Sequence, residues 1–195
     1  MRSSSTCEET AIADLIYTTN VSLDGYIEDS DGRFDWGEPD EEVHSFIREL
    51  EAPAGTYLYG RRLYETMRFW ETAEPDEAYT REFAEMWRAA DKVVYSRSLD
   101  AVTTARTRLE HEFDANSVRR MKDAAARRLT IGGANLASQA FAAGLVDELR
   151  LLIRPVILGG GKPWLTGGMN LRLRLTDTRH FASGVVYLSY RPATA

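Results

Sequence analysis

Four short segments carry residue types that could do chemistry, each placed where an apolar run gives way to a turn. The run Arg128-Leu129-Thr130-Ile131 ends in Gly132-Gly133 and passes directly into the helix-favouring Ala134-Asn135-Leu136-Ala137. Paired glycines lack the Cβ atoms that hold a ligand away from the backbone, and they permit positive φ. A helix starting there points unpaired N–H groups and the positive end of its dipole at the gap, an arrangement suited to phosphate. A tight strand-to-helix turn wants the same glycines with no ligand at all, so the pattern alone leaves both readings open. The other three segments are Ser22-Leu23-Asp24-Gly25-Tyr26-Ile27, Gly60-Arg61-Arg62-Leu63-Tyr64-Glu65 and Ser96-Arg97-Ser98-Leu99. Each also has an ordinary reading: Asp24-Gly25 as a turn, Arg61 and Arg62 as a solvated first helical turn, Ser96-Arg97-Ser98 as a polar loop.

The elements that would position these segments can be read from periodicity. Ala13 to Val21 is a β-prone run, and the loop after it is rich in Gly and Asp. Pro39-Asp40 opens a helix whose Val43, Phe46, Ile47 and Leu50 fall at i, i+3, i+4 and i+7. Thr56 to Tyr59 reads as a strand, Gly60 to about Phe69 as a helix, and Tyr79, Phe83, Met86 and Trp87 as the face of another. Lys92 to Tyr95 and Thr104 to Leu109 are further strands, and a helix over about Asn116 to Ala126 leads into Leu129 to Ile131. After the helix near Asn135, capped by Gly144, Val146 to Leu158 reads as one long strand. Leu171, Leu173 and Leu175 alternate with polar residues as in a strand with one wet face, and Val185 to Arg191 is the last strand. Strands alternating with helices, then an antiparallel pair, predict an α/β domain with a mostly parallel, mixed central sheet, flanking helices and a C-terminal antiparallel hairpin. Open sheets of this kind bind ligands beyond the carboxyl ends of their strands, so the four segments are placed to meet in one cleft.

Bulk composition narrows the function classes. The 195 residues are 44% hydrophobic, enough for one domain with a core, which we place at residues 11–195 after a disordered extension over residues 1–10. The net charge of -6 argues against nucleic acid as partner, because neutralising phosphates needs a basic surface. The single cysteine, Cys7, excludes an internal disulfide and a cysteine-rich zinc site and fits a cytoplasmic setting. No run is apolar and long enough for a membrane span or a signal peptide, and His44, His111 and His180 lack ligand spacing, so no metal is expected. Gly159-Gly160-Gly161-Lys162-Pro163 is not a phosphate loop of the Walker type, since Val156 stands where a glycine is required and Pro163 where Ser or Thr should be.

In order along the chain, SLDGYI, GRRLYE, VVYSRSL, IGGANL, LVDEL and PVILGGGKPW span Val21 to Trp164 and resemble the dihydrofolate-reductase-like family that includes the reductase domain of bacterial riboflavin biosynthesis. The resemblance implies a dihydrofolate-reductase-like fold, NADPH as hydride donor and a homodimer. It implies that Ile131, Gly132, Gly133, Ala134, Asn135 and Leu136 hold the pyrophosphate and that Gly60 and Arg61 form a second phosphate seat. Ser96, Arg97 and Ser98 fall at the adenosine 2′-phosphate, where a guanidinium and hydroxyls suit a phosphorylated ribose better than the carboxylate typical of NAD sites. It places Ser22, Asp24 and Gly25 beside the nicotinamide and the substrate, with Asp24 as the candidate catalytic carboxylate if burial raises its pKa. Gly159 and Gly160 are further substrate contacts by the same resemblance, and Trp36 could flank a flat substrate or simply anchor its loop. Asp40, Glu41 and Glu42 read as helix N-terminal carboxylates rather than as a pterin-binding acid.

The expected function is an NADPH-dependent reductase of a small heterocyclic, imine or carbonyl substrate, with a pyrimidine- or pterin-type compound as one candidate. These residues cannot supply the zinc ligands of the deaminase that often accompanies the riboflavin reductase. The alternatives are a non-catalytic nucleotide-binding or regulatory protein of the same fold, or a dimerisation module in which the glycines serve only turns.

Overall fold

The computed structural model describes residues 12–193, so the extension expected over residues 1–10 and Cys7 lie outside the described residues. Strand β1 (Leu15–Ser22) is followed by the short β2 (Tyr26–Glu28), helix α1 (Glu41–Glu51) and β3 (Ala54–Gly60). Then come α2 (Arg61–Met67), α3 (Ala78–Ala89), β4 (Asp91–Tyr95), β5 (Thr107–Glu110), α4 (Ala115–Ala124) and β6 (Arg128–Gly132). The chain closes with α5 (Ala134–Ala142), β7 (Glu148–Arg154), β8 (Lys162–Pro163), β9 (Leu173–His180) and β10 (Val186–Pro192). The main sheet has the order β5-β4-β3-β6-β1-β7-β10-β9, and β2 pairs with β8 in a second, two-stranded sheet. The pairings from β5 across to β7 are parallel, whereas β10 is antiparallel to both β7 and β9, as the reading of a mixed sheet requires.

Period-two alternation sends neighbouring residues to opposite faces. On one face Leu15, Tyr17, Leu58, Val93, Leu129, Ile131 and Leu149 join Val118 of α4 and Leu136, Ala137 and Ala140 of α5 in a continuous apolar core. On the other face two separate clusters form. Tyr57, Tyr59 and Val94 pack with Tyr64, Phe83 and Trp87 of α2 and α3, and Leu152 and Tyr187 pack with Val43 of α1. Helix α1 starts where expected because the Asp40 carboxylate accepts from the Val43 N–H at 2.8 Å, with Glu41 and Glu42 in the first turn.

Three expectations need correction. The long strand read over Val146 to Leu158 is only β7, because Pro155 offers no N–H to continue the ladder and the chain turns away through Gly159 and Gly161, both with positive φ. Strand β5 starts at Thr107 rather than Thr104, after Arg106 adopts a φ of 54°. Strand β9 has no dry face: all of its residues are exposed, and Leu171, Leu173 and Leu175 stand at 42%, 37% and 49% exposure along the sheet edge.

Candidate functional site

The gap between the two clusters on the α1–α3 face is a cleft of about 2020 Å³, about twice the upper end of the volume range of ordinary ligand pockets. It opens at the carboxyl ends of β3, β4 and β6, which a parallel sheet brings together because the strands point the same way. Gly60, Arg61, Ser96, Arg97, Ser98, Gly132, Gly133, Ala134 and Asn135 line its rim, and Trp36 lines it from the loop before α1. Ile131 and Leu136 also border it, but these residues are 0% and 4% exposed and their side chains belong to the opposite core, so a ligand meets them through the backbone.

The glycines are not equivalent. Gly133 has a φ of +99°, and a Cβ there would lie 3.7 Å from the Gly60 amide nitrogen, so the two strand-to-helix turns abut. Helix α5 begins directly after Gly133 with no side-chain cap, leaving the N–H groups of Ala134, Asn135 and Leu136 for an incoming acceptor. Gly132 is glycine for a packing reason as well: a Cβ there would fall 2.2 Å from Leu63 Cδ2. Arg61 pairs with Glu65 one helical turn on, at 3.1 Å, and stays partly exposed over the rim. Ser96 is buried and accepts from the Ser98 and Leu99 N–H groups, which folds the β4 exit into a tight turn. Arg97 and Ser98 are exposed on that turn, and Arg97 makes no ion pair among the described residues. His111 joins them, its Nδ1 lying 3.1 Å from the Ser96 carbonyl.

A second group of expected residues stands outside the cleft. The Asp24 carboxylate accepts from Ser22 Oγ at 2.7 Å, from the Gly159 N–H at 2.7 Å and from the Leu158 N–H at 3.1 Å. Ser22 Oγ in turn accepts from the Tyr26 N–H, and the Gly25 carbonyl accepts from Trp164. Asp24 is exposed, and the Ser22 hydroxyl, followed by the two backbone donors, holds its carboxyl below the ordinary carboxylate range. The condition on which a proton-relay role rested, a pKa raised by burial, is therefore not met. Ser22, Asp24, Gly25 and Gly159 form a clasp between the turn after β1 and the loop after β7, Gly160 follows in that loop, and none of the five lines the cleft. From that second loop it is Lys162 that reaches the cleft, paired with Glu28 at 2.9 Å.

The cleft floor was missed from the sequence. It consists of Thr18 and Asn20 of β1, Thr130 of β6, Tyr57 of β3 and Glu51 at the end of α1, roofed by His44 and Ile47 of α1. Glu51 is 6% exposed, and its two carboxylate oxygens accept from Thr18 Oγ1 at 3.0 Å and Thr130 Oγ1 at 3.1 Å. Burial pushes its pKa up, opposed by the two hydroxyls and by nearby Arg150. Asn20 is oriented by Arg154, which donates to its Oδ1 at 2.9 Å and 3.2 Å. One signal for this floor was present: Val43, Ile47 and Glu51 lie at i, i+4 and i+8, so the apolar stripe of α1 ends in a carboxyl.

Comparisons with known proteins agree with this geometry. The family model described as RibD C-terminal domain matches residues 13–187. The uncharacterized protein YyaP of Bacillus subtilis (strain 168) is 30% identical over 180 residues, covering 90% of this chain and 93% of that protein. Acinetobacter baumannii RibD superposes with a TM-score of 0.72 at 14% identity, over 93% of this chain and 58% of RibD. Dihydrofolate reductase from Enterococcus faecalis, in complex with NADP(H), superposes with a TM-score of 0.61 at 13% identity, over 93% of this chain and 97% of the reductase. The fold is thus dihydrofolate-reductase-like, and by the match to nearly its whole described length this chain belongs to the RibD C-terminal domain family.

Proposed function

We propose that the protein is an NADPH-dependent reductase acting on a small heterocyclic, imine or carbonyl compound, of which pyrimidine- and pterin-type rings are the leading class. The observation that carries this reading is the convergence of three strand-end turns, at Gly60, Ser96 and Gly132-Gly133, on one rim that continues into a polar-floored cleft. The rim fits the cofactor: the abutting Gly60 and Gly133 let an extended diphosphate lie close to backbone, and the uncapped α5 N-terminus faces it. Arg97 and Ser98, with Ser96 shaping their turn, would hold the 2′-phosphate through charge-assisted hydrogen bonds. When bound, NADPH supplies a hydride from its dihydronicotinamide ring. The chain's own residues align the substrate against it on the floor of Thr18, Asn20 and Thr130, with Trp36 at the mouth, and keep water out. Asp24 serves this reaction as a positioning residue, because it clasps the loop that carries Lys162 to the cleft.

The same reading places the protein in the reducing cytoplasm as a homodimer, and we assign the dimer contact to the exposed leucines along β9. Sedimentation velocity tests the second point, and a monomer at micromolar concentration would remove it. The cofactor is tested by calorimetry with NADPH and NADH on the native protein and on Arg97→Ala. NADPH should bind more tightly than NADH, and the variant should lose about tenfold toward NADPH alone, the loss of one charge-assisted contact. Equal losses toward both would detach Arg97 from the 2′-phosphate, and no binding of either would end the reductase reading.

A further inference from the structure

Two tyrosines stand side by side on β3 with parallel rings 5.4 Å apart, yet their hydroxyls differ. The Tyr59 hydroxyl accepts from the Trp87 indole N–H at 3.2 Å. The Tyr57 hydroxyl, on a residue 3% exposed, has no hydrogen-bond partner among the described residues. Leaving a buried hydroxyl unpaired costs about 1–3 kcal/mol, so a fold that keeps one at a cleft floor holds it for something that arrives. Tyr57 is the register neighbour of Thr130, whose hydroxyl donates to Glu51, so an unused phenol and a buried carboxyl share one end of the cleft. Both Glu51 oxygens already accept from hydroxyls, and each keeps a second lone pair. Phe83, Tyr79 and Trp70 wall the same compartment, with His44 edge-on to Tyr79 at 5.0 Å and to Phe83 at 5.5 Å. The space between such walls suits a flat ring.

We propose that Glu51 and Tyr57 are the specificity-determining pair of the cleft, and that they read a lactam-type edge on a planar substrate ring. The ring N–H donates to the Glu51 carboxylate, and the adjacent ring carbonyl accepts from the Tyr57 hydroxyl. Such an edge offers a donor next to an acceptor, complementary to the acceptor and donor that the floor presents. The assignment rests on the reductase reading for the identity of the cleft, and it concerns recognition only.

The probes are 2-pyridone, which has this edge, and N-methyl-2-pyridone, which has lost the N–H. Their binding is followed by NMR titration of the full chain, with and without NADPH, and NADPH affinity is measured on the same samples. In the native protein 2-pyridone should bind at least about fivefold more tightly than its N-methyl form, the worth of one net hydrogen bond. Glu51→Leu, which leaves no acceptor at that position, should erase that preference in the folded protein. Tyr57→Phe should weaken 2-pyridone by about fivefold while leaving the melting temperature unchanged or higher, because it deletes an unpaired hydroxyl. A purely structural tyrosine would give the thermal result without the binding loss, and that outcome overturns the assignment. Equal binding of the two probes, or binding of neither, overturns it too. Discrimination between the probes in a protein that fails to bind NADPH would support the pair and sink the reductase reading, so the two failures are distinct.

Discussion

The two faces of the central sheet are built from alternate residues of the same strands, yet they solve different problems. Toward α4 and α5, Leu129, Ile131 and Leu149 bury against Val118, Leu136 and Ala140 in one continuous apolar mass. Toward α1 and α3, the residues interleaved with these include Thr18, Asn20, Thr130 and Gly132, and the core breaks into two clusters with a cleft between them. One face therefore holds the fold and the other is free to carry a ligand. The lesson is visible within a single dipeptide: Leu129 points into the continuous core and Thr130 into the cleft floor.

That comparison is broken most sharply by truncating each side of the dipeptide. Leu129→Ala should cost about 2–5 kcal/mol of stability in a denaturant melt, with NADPH affinity of the folded fraction unchanged, because the cavity opens in the supporting core. Thr130→Val should cost only about 1 kcal/mol, the hydroxyl bond to Glu51, and its effect should fall on ligand binding instead. Equal stability losses would mean that the two faces are not divided as described. A smaller effect sharpens the contrast through pH. Burial raises the Glu51 carboxyl above its ordinary value, so the stability it contributes in neutral form is complete below the ordinary carboxylate range. That contribution is lost as pH rises through the raised folded value. Glu51→Gln should flatten this fall in thermal melts across the same window, and an unchanged slope would show that Glu51 is not the group responsible.

Much of this division could be read from the chain because it follows from period and turn chemistry. The apolar stripe of α1, the cap at Asp40, the helix after Gly133 and the alternating parallel strands all depend on near neighbours. The rim residues were legible for the same reason, since a glycine turn at a strand end has a local signature. Two things were not local. Whether Asp24 faces a substrate or clasps a loop depends on Leu158 and Gly159, more than a hundred residues away, whose N–H groups claim it. The floor depends on Thr18, Glu51, Tyr57 and Thr130 meeting across three strands and a helix, and each alone reads as an ordinary threonine, glutamate or tyrosine. The long strand expected through Leu158 failed at Pro155, a residue whose effect was local and was outweighed by the apolar run around it.

The α5 N-terminus on the cleft rim is the proposed seat of the NADPH diphosphate, and Asn135→Asp tests it with little disturbance elsewhere. Asn135 is exposed in the first turn of α5, where a carboxylate favours the helix dipole and should leave thermal stability equal or slightly raised. Placed against a diphosphate, the same carboxylate should weaken NADPH binding at least tenfold, about 1.4 kcal/mol, in a calorimetric titration. A stable variant that binds NADPH as tightly as the native protein would contradict the account.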